Sequence, residues 1–188
     1  MIQEAIRYYA DHPYEFVVDI IGVRPTKGQA MILKAIPKAI RERKGIAVKS
    51  GHGVGKTALE SWIIIWFMAT RPYPKIPCTA PTQAQLYDIL WSELAKWYKR
   101  SKISGMFEWT KTHFYNKTSP ENWFAVARSS NKPENMQGFH AEHLLFVIEE
   151  ASGVSDEIME VVEGASVSYT HLRAHETSLH LVCRLLLE

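Results

Sequence analysis

Ser50 to Thr57 reads SGHGVGKT, and its interpretation decides the fold. Glycines at 51, 53 and 55 let backbone N–H groups curve around a polyphosphate with no Cβ in the way. A helix starting directly after them adds the partial positive charge of its N-terminus. Lys56 is placed to reach the β and γ phosphates of a nucleotide, and the Thr57 hydroxyl to hold Mg²⁺. Ser50, Gly51, His52, Gly53, Val54, Gly55, Lys56 and Thr57 therefore form a candidate loop for ATP and Mg²⁺. The usual pattern opens on Gly where this chain has Ser50. A Gly-rich turn that binds nothing would need neither Lys56 nor Thr57.

The flanks supply the strand and helix that such a loop requires. Ile46 to Val48 is a short apolar run leading into the loop, and Ala58 to Ala69 has the composition of a mostly apolar helix. Ile76 to Ala80, bracketed by prolines, reads as a second strand. Thr82 is a cap-like start for a helix to about Arg100, with Leu86, Ile89, Leu90, Leu94 and Trp97 at helical spacing. This alternation predicts βαβ units. Upstream, Ile2 to Ala10 is helical in pattern, Phe16 to Ile21 fits strand or short helix, and Gln29 to Ile36 reads as a helix ending before Pro37. Downstream, Phe114 to Tyr115 and Trp123 to Ala127 fit strands around a turn, and Asp156 to Glu163 a helix.

A phosphate loop needs a second strand carrying carboxylates, and LLFVIEE at Leu144 to Glu150 supplies one, about ninety residues after Lys56. The apolar run suits a buried parallel strand with acids at its C-terminal tip. By position Glu149 is the metal-side acid and Glu150 the base that orients and deprotonates the attacking water. The metal-side acid is more often Asp, so Glu149 carries an extra methylene.

Composition narrows the classes. With 46% hydrophobic and 22% charged residues among 188, the chain is neither disordered nor a disulfide miniprotein. A formal charge of +2 confines any DNA contact to a local patch. Two cysteines fit a reducing compartment. The longest apolar run, Trp62 to Ala69, is far short of the roughly 20 residues needed to span a bilayer, and the N-terminus lacks a signal-peptide pattern, so a cytoplasmic protein without membrane contact is expected.

SGHGVGKT, APTQAQLYDILWSEL and GFHAEHLLFVIEEASGVSDEIMEVVEGA resemble the ATPase domain of the large terminase subunit of tailed bacteriophages over most of residues 13 to 165. The resemblance implies an α/β P-loop fold of the additional-strand type with a mostly parallel sheet flanked by helices. It also implies ATP hydrolysis coupled to packaging of double-stranded DNA into procapsids. The implied partners are a small terminase subunit and a portal, the assembly a homo-oligomeric ring in the host cytoplasm, and the missing part a C-terminal nuclease. Gln29, in RPTKGQAMIL, resembles the family's adenine-reading glutamine, and His52 stands where many members place an Arg. A helicase-like ATPase on single-stranded nucleic acid, or an inactive nucleotide-binding fragment, are the alternatives.

Residues 167 to 188 differ in kind. Val167 to Thr177 and Leu181 to Glu188 resemble the in-frame translation of a sequencing adaptor around a short variable index. The expected division is residues 1–165 as the N-terminal part of the ATPase domain, cut after the acidic strand and its helix, and 166–188 as a non-native tail. A helix carrying His171, His175 and His180 as a metal cluster is the alternative. The tail is expected to add nothing specific to the fold, with Leu181 to Leu187 collapsing onto it as a short helix, and the chain as written to hydrolyse little or no ATP. His140 and His143 read as packing or loop hydrogen-bonding residues rather than metal ligands, the basic cluster Lys96, Lys99, Arg100 and Lys102 as a solvated helix end rather than a phosphate contact, and Trp91, Leu94 and Trp97 as core rather than a base-stacking platform.

Overall fold

The computed structural model describes residues 2–42, 44–49, 55–166 and 182–187. The chain opens with α1 (Ile2–Asp11) and α2 (Pro13–Phe16), which widens into π turns over Val17–Ile21. α3 (Lys27–Arg41) leads to β1 (Ile46–Lys49), then α4 (Lys56–Thr70) and β2 (Lys75–Thr79). Further π turns (Gln85–Trp91) run into α5 (Ser92–Arg100), followed by β3 (Phe107–Trp109), β4 (His113–Asn116) and β5 (Phe124–Ala127). β6 (Leu145–Ile148) lies between 3₁₀ turns at Pro133–Met136 and Ala151–Gly153, and α6 (Asp156–Ser166) and β7 (Val182–Leu187) follow.

One sheet holds all seven strands in the order β1-β7-β6-β2-β5-β4-β3. β2 pairs in parallel with both β5 and β6. The other ladders are antiparallel, so the sheet is mixed and not mostly parallel. Short turns join β3, β4 and β5, and connections of that length suit antiparallel neighbours. Because β7 is antiparallel to both of its neighbours, β1 and β6 share a direction. The C-terminal ends of β1, β6, β2 and β5 therefore lie along one edge, where open α/β sheets place their ligands.

The sheet is covered on both faces. Along β6, Leu145 and Val147 pack with Ile76, Cys78, Ala125 and the α4 side chains, while Phe146 and Ile148 pack with Val126, Met136, Ile158 and Val162. All four β6 residues are buried, which is why this segment reads as a continuous apolar run. α4 is buried from Trp62 through Met68. A helix apolar on every side has to lie at the centre of its layer. No helix among the described residues is long and apolar enough to cross a membrane.

Phe16 to Ile21 takes the helical of its two readings, with Phe16, Val17 and Ile21 buried. α3 passes through Pro37 instead of ending before it. Pro37 forgoes one helix bond, but Leu33 and Ile36 before it and Ala39 and Ile40 after it pack on one core, which holds both halves in line. β3 is too short for its alternation to be read. Finally, residues 182–187 form β7, not a helix. A strand there pairs with the backbone of β1 and β6 at once, which a helix cannot do. Those residues thus take interior positions in the sheet, pairing on both sides. The candidate histidines 171, 175 and 180 lie outside the described residues.

Candidate nucleotide site

α4 starts at Lys56 behind Gly55, which adopts φ 79, ψ 35 and offers no capping side chain. Gly55 thus places no side chain of its own over the first N–H groups of the helix, where a phosphate would sit. Ser50, Gly51, His52, Gly53 and Val54 lie outside the described residues; Gly55, Lys56 and Thr57 line a cavity of about 520 Å³.

β6 delivers the acids to the same cavity. The Thr57 hydroxyl donates to Glu149 Oε1 at 3.0 Å, joining two residues 92 positions apart. The Glu149 N–H donates to the carbonyl of Thr79 at 3.0 Å, which carries the β2–β6 pairing one residue beyond the strand and fixes where the carboxylate emerges. Glu149 is 5% exposed, and its Oε2 is buried without a hydrogen-bond partner among the described residues. An orphaned carboxylate oxygen beside a hydroxyl is a hard-oxygen donor set that suits Mg²⁺, so Thr57 and Glu149 fit the ion expected of them.

Glu150 is half-buried and sits at φ 50, ψ 52. Non-glycine residues seldom occupy this left-handed region, and those that do often serve a site. The helical segment after β2 forms the opposite wall with Asp88, Ile89, Ser92 and Glu93. The described walls thus set Lys56 against Asp88, Glu93, Glu149 and Glu150. Such a cleft takes a polyphosphate together with a divalent cation far more readily than alone. Asp88, Ser92 and Glu93 escaped the sequence reading because they belong to a helix whose apolar spacing dominated it.

Gln29 lies beside the loop in an unexpected orientation. Its Oε1 accepts from the Thr26 N–H at 2.9 Å, closing a capping box at the start of α3, and its Nε2 donates to the carbonyl of Gly55 at 3.0 Å. The amide that the resemblance assigns to adenine is here turned to backbone, tying α3 to Gly55 at the start of α4. Gln29 also borders an apolar cavity of about 520 Å³ between α3 and β1, walled by Met31, Ile32, Ile46, Val48 and Leu59. A Cβ at Gly55 would stand 2.7 Å from Gln29 Nε2. Gly55→Ala should therefore add the left-handed penalty of about 1–2 kcal/mol to loss of the Gln29 bond, about 1 kcal/mol. Gln29→Ala should lose only the second, an ordering that melting curves of the two variants check.

Trp91 and Leu94 are buried, and Trp97 is half-buried with its Nε1 donating to Glu93 Oε1 at 2.6 Å. Lys96, Lys99, Arg100 and Lys102 are exposed, with Lys96 over the Trp97 ring and Lys99 over that of Trp109. His140 is exposed; His143 is half-buried, and burial followed by the charge of Arg71 pushes its imidazole below the ordinary range.

No family model matches the chain, and no solved structure matches it. Among curated proteins it is similar to "Probable terminase, large subunit" of Enterobacteria phage P7, with 31% identity over 153 residues. That alignment covers 78% of this chain but 30% of the relative's length. Over that shared stretch the chain is related to the large subunits of phage terminases.

Proposed function

We propose that the described site binds ATP with Mg²⁺ and belongs to the motor of a DNA-packaging terminase, active in the full-length parent within an infected or prophage-carrying cell. The single observation that carries this reading is the Thr57–Glu149 hydrogen bond, 3.0 Å long. It brings the residue after the phosphate-loop lysine to the acid at the tip of β6, as the chemistry of phosphoryl transfer requires. Mg²⁺ held between them would neutralise charge on the β and γ phosphates. Lys56 and the α4 N-terminus bind and orient those phosphates. Glu150 accepts a proton from water as its oxygen bonds the γ phosphorus and the β–γ bridging bond breaks, releasing ADP and phosphate. Asp88, Ser92 and Glu93 form the facing wall of the cleft.

The relatedness supports a role in phage DNA packaging. Double-stranded DNA as the driven substrate, a ring of several copies, and a small subunit and portal as partners extend the same reading. ATP turnover of the parent should rise more with duplex than with single-stranded DNA, and the stimulation should fade as salt rises because phosphate contacts dominate such binding. Stimulation by single strands alone would favour a helicase-like ATPase; binding without turnover would leave a nucleotide-binding fragment.

A further inference from the structure

Two residues that line the cleft, Gly55 and Glu150, each accept a hydrogen bond from a glutamine of the same local motif. Thr26-x-x-Gln29 starts α3, and Thr82-x-x-Gln85 starts the helical segment after β2. In the first, the box closes on itself, with the Gln29 N–H donating to Thr26 Oγ1 at 3.4 Å and the Thr26 N–H donating to Gln29 Oε1 at 2.9 Å. In the second, the Gln85 N–H donates to Thr82 Oγ1 at 3.1 Å, but the Thr82 hydroxyl donates to Gln85 Oε1 at 2.9 Å. With its oxygen turned to the threonine, the Gln85 amide presents Nε2 outward, and Nε2 donates to Glu150 Oε2. A carboxylate oxygen accepts, which matches an amide N–H turned toward it.

The backbone repeats the connection. The Gly153 N–H donates to the Glu150 carbonyl at 2.9 Å, closing the turn that holds Glu150 at φ 50. A Cβ on Gly153 would lie 2.7 Å from Pro81 Cγ, within a rigid ring. The turn after β6 and the segment after β2 therefore meet at two points, one polar and one steric.

We propose that Gln85, oriented by Thr82, is a positioning residue for Glu150: it fixes the direction of the carboxylate in the cleft, through a hydrogen bond that leaves Oε1 of that carboxylate for the attacking water. This rests on Glu150 acting as the base. Lys56, Thr57 and Glu149 bind nucleotide and metal without Gln85, so its loss should act on turnover and spare ATP binding.

The test is carboxyl footprinting of the 188-residue chain with a carbodiimide and glycine ethyl ester, read residue by residue by mass spectrometry. Gln85→Ala should raise the labelling rate of Glu150 at least threefold and leave that of Glu149 unchanged. Thr82→Ser should label as the parent chain does, and Thr82→Val should move toward Gln85→Ala, with melting curves showing each variant folded. In the parent protein Gln85→Ala should lower kcat about tenfold or more at unchanged KM for ATP. Unchanged Glu150 labelling in both Gln85→Ala and Thr82→Val overturns the proposal, as does a loss confined to KM. If labelling changes as expected but Glu150→Gln hydrolyses ATP at the parent rate, the contact stands and the assignment of Glu150 as base fails.

Discussion

Glu150→Gln in the full-length parent should bind ATP as tightly as the parent and turn it over about 10²–10⁴-fold more slowly, the range general-base catalysis contributes. The amide keeps the shape of the carboxylate but has no basic oxygen to take the proton. Lys56→Ala should behave differently. On the proposed reading its ammonium would meet phosphate charge already present in the bound nucleotide, so its removal should abolish tight binding before chemistry begins. Fluorescence of a labelled ATP analogue measures the first quantity and phosphate release the second, and only the combination separates a base from a binding residue. Equal turnover by Glu150→Gln and the parent would remove Glu150 from the mechanism. Glu149→Gln occupies a third position. It keeps one oxygen for the Thr57 hydroxyl while replacing the other, so its loss should be partly recovered by raising the Mg²⁺ concentration.

These residues were legible because their chemistry depends on order along the chain. Lys56 and Thr57 fall at the start of α4 as the glycine-rich pattern predicts, and Leu144 to Ile148 followed by two acids announces a buried strand with carboxylates at its tip. Gln85 was not legible. Its role depends on which way its amide turns, and the same Thr-x-x-Gln pattern yields a closed capping box at Gln29 and an open one at Gln85. Asp88 and Glu93 were hidden for a related reason, since polar positions on an amphipathic helix read as solvated until the facing wall is known. The π turns over Gln85–Trp91 also shift the helical phase there, which regular 3.6-residue spacing does not anticipate. Pro37 misled in the opposite sense, because a local rule of helix ending gave way to packing on both sides of it.

Residues 182–187 carry the other large expected effect, because the sequence and the sheet assign them different roles. Their likeness to a translated adaptor implies unselected chain, yet β7 lies between β1 and β6 with Leu185 opposite both Ile46 and Val147. After β6 and α6, a right-handed crossover would return a strand parallel to β6, whereas β7 runs antiparallel. The position thus has the pairing of an interior strand and the direction of an atypical one. Leu185→Pro distinguishes the two roles. A proline there removes a backbone donor and cannot be accommodated in an interior strand. Each buried group left without a partner costs about 1–3 kcal/mol, and a chain of this size loses roughly 2–4 °C per kcal/mol. If β7 holds the sheet together, the variant should melt several degrees lower, and residues 1–165 alone should expose the facing edges of β1 and β6 and associate. If Leu185→Pro melts with the parent chain and residues 1–165 stay monomeric, the pairing contributes nothing to stability and the adaptor reading of the tail prevails.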